Sequence, residues 1–410
     1  MTVLAETRRG ERDVAVISLV GAAHYTSHVL QLALPPLFPI LHREFGVSFT
    51  ELGAFVTLFY AASGLGQAAA GVLVDRYGAY RMLVAGLAVL GGSIALAGLA
   101  GSYWMLLPLA PIAGLGNSVF HPADLSILSH RVSETRLGRA YAVHGISGSL
   151  GYATSPVLVT LIAGLASWHV ALVALGLGGL AVAALLLVNR PLVTYDHVAA
   201  VRAGASKRRG SYLDVIGAPV VLMAFGYFAM TAFAGSGMQT FSITALTAGY
   251  GLSLHVATLG LTGYLVGAAL GMVGGGFLAD RTTQHHRVAM SGIAAAALLM
   301  LAVALVGHLG ALVLPITALA GIANGITGPS RDVLVRRAAA GIGTGSVFGL
   351  VYSGFDLGSS TAPLLFGMLL DRGAPHAVFL AIACSFALGV PTVMQVSHRI
   401  TARAQPAVAE

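Results

Sequence analysis

Apolar runs return about twelve times along this chain, each near the roughly 20 residues a helix needs to cross the hydrocarbon core of a bilayer. They lie near 14–41, 49–74, 81–100, 104–129, 137–164, 168–189, 213–240, 254–279, 288–307, 310–333, 343–369 and 375–397. In lipid every backbone polar group must be satisfied within the structure, and runs this long and continuous satisfy it as helices. Composition agrees: 57% of the residues are hydrophobic and 9% charged, against about 25% charged in a soluble protein. Glycine supplies 53 of 410 residues, and small residues let membrane helices approach closely. The expectation is an all-α membrane protein of twelve transmembrane helices. A large soluble all-α protein is set aside.

The loops are short except for 190–212, which carries Arg190, Arg202, Lys207, Arg208 and Arg209. It divides the chain into an N-terminal half (1–189), a linker (190–212) and a C-terminal half (213–410). Of the 22 Lys and Arg residues, all but Arg43 and Arg372 fall in alternate connections or in the two tails. The positive-inside rule then places both termini and the linker in the cytoplasm. The net charge of +7 is accordingly read as a topology signal, with no nucleic acid as partner. The N-terminal apolar run is too long for a signal-peptide core and is read as an uncleaved span. The single cysteine, Cys384, excludes an internal disulfide and any Cys-based zinc site.

The halves repeat. Gly71-Val-Leu-Val-Asp75-Arg76 closes the second span, and Gly276-Phe-Leu-Ala-Asp280-Arg281 closes the eighth. Gly114, Asn117 and Pro122 recur as Gly321, Asn324 and Pro329; Gly138, Gly151 and Pro156 recur as Gly345, Gly358 and Pro363. Three blocks at nearly one offset indicate an internal duplication, as in many secondary transporters.

The Gly71-x-Leu-x-Asp75-Arg76-x-Gly78 stretch, with its degenerate copy after span eight, resembles the signature of the major facilitator superfamily. Here Ala79 and Tyr80 stand where the family usually has a basic pair, before Arg81. The resemblance implies a conformational latch formed by Gly71, Asp75, Arg76, Asp280 and Arg281. Asp75 is expected at the start of span eleven, Gly341–Ser346, whose free N–H groups attract an anion. It also implies that spans one, four, seven and ten line a central cavity. Leu34-Pro-Pro-Leu-Phe-Pro-Ile-Leu41, Gly114-x-Gly-Asn-Ser-x-Phe-His-Pro122, His144-Gly145 and Gly148 resemble the fosmidomycin-resistance branch. That branch implies a drug or organic-anion exporter running on proton entry. Ser149 stands where the branch commonly has Asn, so substrate identity need not transfer.

Polar residues at helical spacing mark the candidate site. His24, His28 and Gln31 share one face of span one; Asn117, His121 and Asp124 share one face of span four. His144, Asn324 and Asp356 complete the substrate or proton candidates. A carboxylate at mid-bilayer costs about 3 kcal/mol on insertion scales, and histidine switches charge near neutrality. Asp124, nearer the cytoplasmic end, is assigned to gating with Arg331 as its partner. Gly263, Gly267, Gly271 and Gly275 line a small-residue face where the two halves are expected to slide against Ala62, Gly66 and Ala70.

The expected function is proton-coupled export of a small anionic or amphipathic compound by alternating access, from a bacterial inner membrane, by a monomer. No cofactor, metal or ATP-binding loop is expected; the proton gradient supplies the energy. Two alternatives stand beside it: import of a small organic acid, and, remotely, an intramembrane hydrolase built on Ser147 and a histidine.

Overall fold

The computed structural model describes residues 2–195, 219–306, 310–338 and 344–404. Those residues form helices: α1 (Thr2–Gln31), α2 (Phe38–Phe45), α3 (Phe49–Tyr77), α4 (Ala79–Ala97), α5 (Tyr103–Leu106), α6 (Leu109–Asn117), α7 (Phe120–Arg131), α8 (Glu134–Leu165), α9 (Trp168–Val188) and α10 (Arg190–Val193). After the linker come α11 (Pro219–Tyr250), α12 (Leu254–Arg281), α13 (His285–Leu305), α14 (Val313–Ala338), α15 (Thr344–Asp371) and α16 (Pro375–Ala404). Among the described residues, eight helices are long and apolar enough to cross a membrane, nine with the bent helix α3. Helices α1, α14 and α15 are also 30, 26 and 28 residues long. They carry polar groups along their apolar length: His24, His28 and Gln31; Asn324 and Arg331; and Asp356.

Two expected spans are divided among shorter helical segments, with prolines close to the interruptions. Span one ends at Gln31 and passes through a turn at Pro35–Leu37 before α2. Span four is α5, α6 and α7, with α6 ending at Asn117 and α7 starting at Phe120. Pro122 has no N–H for the Ser118 carbonyl, which removes one helix bond here; Ser118 and Val119 keep right-handed helical dihedrals, and α14 runs through the counterpart Pro329 without a break.

The chain forms two compact units. One comprises Met1–Val47 and Ala54–Lys207, the other Ser48–Gly53 and Arg208–Glu410. The boundary near Lys207 falls inside the expected linker, and α10 adds a helical turn to that linker's first residues. Ser48–Gly53, the first turn of α3, belongs to the second unit. There the Asp371 carboxylate accepts from the Phe49 and Thr50 N–H groups at 2.7 and 2.9 Å, the placement a helix N-terminus favours for an anion.

The duplication is visible in packing. In the first unit α1 packs on α8, and α4 on α9 and α6; in the second α11 packs on α15, and α13 on α16 and α14. Gly114 lies against the Phe59 carbonyl of α3, and its counterpart Gly321 against the Tyr264 carbonyl of α12, with no room for a Cβ at either. Leu30, Leu83, Leu87, Ile127 and Leu172 lie fully buried in the first unit, and Phe228, Phe241, Phe366, Phe379 and Phe386 in the second. One expectation is corrected. Gly267, Gly271 and Gly275 meet the carbonyls of Ala318, Ile322 and Ile326, so this small-residue face packs α12 onto α14 within one unit. Gly66 likewise meets Ser118 of its own unit.

Candidate functional site

The site is assembled in the first unit from α1, α7 and α8. Helices α1 and α8 approach closely because Gly148 and Gly151 lack side chains. A Cβ at Gly148 would stand 2.8 Å from His24 Nε2 and 3.1 Å from His28 Nε2, and one at Gly151 would overlap the Tyr25 carbonyl. This contact brings the rings of His24 and His144 into a stack with centroids 3.6 Å apart. Helix α7 then inserts Asp124. One oxygen, Oδ2, lies 3.1 Å from His144 Nε2 and 3.2 Å from His24 Nδ1. An ionised carboxylate only accepts, so His144 donates to it through Nε2. All three side chains are buried, Asp124 completely.

Around this core stand further titratable groups. The His28 ring is 4.5 Å from that of His24 and meets Tyr152 of α8 edge-on at 4.2 Å. The Tyr152 hydroxyl donates to Gln31 Oε1. His121 is exposed at the edge of the cluster, its ring 5.4 Å from His24 and 6.1 Å from His144. Asp124 Oδ1 and His28 Nδ1 are buried with no hydrogen-bond partner among the described residues. Orphaned polar atoms are uncommon in folded proteins and mark places where function outweighs packing.

One carboxylate between two imidazoles can hold a net charge from −1 to +2 as three protons are added. No sequence spacing announces a metal-ligand set, yet the fold brings one ligand atom each of His24, His121 and His144 within 4.8 Å of one another. Two of those three rings already face Asp124 Oδ2, so the arrangement is a carboxylate–imidazole network. Its chemistry is proton exchange and anion attraction.

The expected histidines of spans one, four and five thus converge. Asp124, read from sequence as a gate residue, joins that cluster. Asn117 is held apart, donating to Ser63 of α3 at 3.0 Å. In the second unit Asn324 donates to the Tyr264 hydroxyl at 3.1 Å, and Asp356 is half-buried on α15. Arg331 donates to Asp332 at 3.1 Å, and its guanidinium lies 4.4 Å from the ring centre of Phe228 and 5.3 Å from that of Phe355. Asp75, Arg76, Asp280 and Arg281 are exposed at the ends of α3 and α12, and Gly71 has open space where a Cβ would stand. Gly78 adopts φ of 91°, a conformation open essentially to glycine alone, which explains the last Gly of the signature. Gly341–Gly343, expected to face Asp75, lie outside the described residues. Sequence reading missed Tyr152 and the helix-packing role of Gly148 and Gly151. The signal was present: Tyr152 follows His144 and Gly148 at four-residue steps on α8.

Comparison with known proteins agrees with this architecture. The fosmidomycin resistance protein of Escherichia coli K12 is 25% identical over 406 residues, covering 96% of each chain. A probable sulfoacetate transporter of Cupriavidus necator is 22% identical over 161 residues, 39% of this chain and 37% of its own. The crystal structure of a bacterial homolog to the human lysosomal transporter Spinster, inward-facing and occupied, superposes with a TM-score of 0.79 at 14% identity, covering 97% of this chain and 99% of its own. The family model described as Major Facilitator Superfamily matches residues 17–247 and 223–407, so the chain is a multi-pass membrane transporter, not an enzyme, and belongs to the major facilitator superfamily.

Proposed function

We propose that this transporter couples proton entry to export of a small anionic or amphipathic compound across a bacterial inner membrane, working as a monomer by alternating access. The observation that carries the reading is Asp124, fully buried and shared by His24 and His144. Charge in a membrane interior is costly and marks proton and substrate pathways. A proton shifts a two-state transporter only by binding its two states with different affinity. A carboxylate locked between imidazoles in one state and opened in the other supplies such a difference. The groups facing Asp124 are His24 on α1 and His144 on α8; His28 and His121 stand against the His24 ring, and Tyr152 of α8 stands against His28. His121, exposed at the cluster's edge, is the first contact for an anion.

Export is favoured by likeness to the fosmidomycin resistance protein over nearly the whole chain. Import of an organic acid is the second reading, favoured by the partial likeness to a probable sulfoacetate transporter. Inverted membrane vesicles separate the two. With a proton gradient imposed, inside acid, they are expected to accumulate fosmidomycin or another small organic anion from a screening panel. Accumulation confined to right-side-out vesicles would overturn export and leave import.

A further inference from the structure

A second polar site lies at the far end of α3, apart from the histidine cluster and wholly within the first unit. A cavity of 170 Å³ opens there between the α3–α4 connection and the segment after α9, lined by Tyr77, Tyr80, Arg81, Arg190, Thr194 and Tyr195 among others. The Arg190 guanidinium lies 6.0 Å from the centre of the Tyr80 ring. Neither Arg81 nor Arg190 has an ion-pair partner among the described residues.

The walls are held in place by their own bonds. Arg131 at the end of α7 donates to the carbonyls of Pro191 and Leu192, each at 2.7 Å. Tyr195 stacks on His130 with centroids 4.3 Å apart and shares a 2.5 Å hydrogen bond with Ser126. Thr194 donates to the Arg190 carbonyl at 2.8 Å. The segment 190–195 therefore presents its arginine and tyrosine on a fixed frame, and Gly78 fixes the opposite wall through its left-handed backbone.

Two guanidiniums lining one cavity are a donor set for phosphate, which arginine binds through paired N–H groups. The last turns of α9, directly before Arg190, expose Leu185, Leu187 and Val188 at 45, 56 and 80%. Exposed aliphatic side chains one turn before a basic pocket match acyl chains below a headgroup, and basic pockets at membrane-helix ends hold anionic headgroups. We propose that this cavity binds the phosphate of an anionic phospholipid, with Arg81 and Arg190 as its ligands and the end of α9 as its acyl contact.

The test is native mass spectrometry of the purified full-length transporter titrated with phosphatidylglycerol in detergent. Parallel arms contain phosphatidylcholine or inorganic phosphate. One phosphatidylglycerol is expected to stay bound to the wild type. Its retention is expected to fall at least about tenfold in R81Q/R190Q and measurably in R190Q, which leaves the α3–α4 connection intact. R287Q, which removes an exposed arginine of the second unit, is expected to behave as wild type. Equal retention in wild type and R81Q/R190Q would overturn the site. Equal retention of phosphatidylcholine would overturn the selectivity for anionic lipid. Arginine-dependent binding of inorganic phosphate without any of phosphatidylglycerol would overturn the lipid assignment.

Discussion

The two halves share a frame and differ in what they hang on it. Gly114 and Gly321 seat their helices against the corresponding carbonyl two spans earlier, Phe59 in one half and Tyr264 in the other. Asn117 and Asn324 each donate one hydrogen bond back to that neighbouring helix. Two turns further the likeness ends. Where α7 places Asp124 between two imidazoles, α14 places Arg331 between two phenyl rings. His121 has Gly328 as its counterpart. Duplication thus preserved the small residues and amides that set helix separation and let the titratable chemistry diverge. On the proposed function the proton site belongs to the first half, and the proposal extends to Arg331 of the second half as a cation that attracts the anionic substrate.

The sharpest way to break that division is to neutralise each side. Asp124→Asn is expected to cut proton-driven accumulation at least about tenfold, within the roughly 5–150-fold range of ordinary coupling free energies. Substrate exchange without a gradient should survive. Arg331→Gln should do the reverse, keeping the proton response and raising KM about tenfold, equivalent to 1.4 kcal/mol. If both variants lose coupling alike, the halves do not divide the work.

Next in size is the helix contact beneath the cluster. Gly148→Ala pushes a methyl group into His24 and His28, and overpacking of this kind costs about 1–3 kcal/mol. Gly145→Ala meets nothing within 4 Å and should be neutral. Gly358→Ala, whose Cβ would stand 2.7 Å from the Phe233 nitrogen, should lower the melting temperature comparably but leave the pH response alone. Thermal melts at several pH values separate the three.

Much of the frame was legible in the sequence because the membrane enforces it. Span length, basic loops and the offset between Gly71–Asp75–Arg76 and Gly276–Asp280–Arg281 are each fixed by one local rule. The site was legible only as separate faces. Nothing in the spacing of His24, Asp124 and His144 says that they meet, since that depends on how closely α1 and α8 pack, and Gly148 and Gly151 set this through space. Asp124, assigned from the sequence to gating, stands buried against His24 and His144, contacts that its place near the end of span four does not announce. The glycine row of α12 was assigned to the wrong partner for a similar reason: small-residue spacing reports a close contact but not with which helix.

The smallest expected effects belong to the shared amides. Asn117→Ala and Asn324→Ala each remove one hydrogen bond, worth about 1 kcal/mol, and both should lower thermal stability slightly with transport retained. A large transport defect in only one would show that this part of the frame has diverged too.

The claim that the Asp124 cluster links protonation to conformation can be tested without knowing the substrate. Cys384 is the single cysteine, so a Cys384→Ser background accepts spin-label pairs, one label on each half, and distance distributions can be recorded across about pH 5.5 to 8, the range in which histidine switches. The wild-type background is expected to shift between two populations over that range, and Asp124→Asn to stay in one. A variant that shifts with the same midpoint and amplitude as its parent would contradict the account.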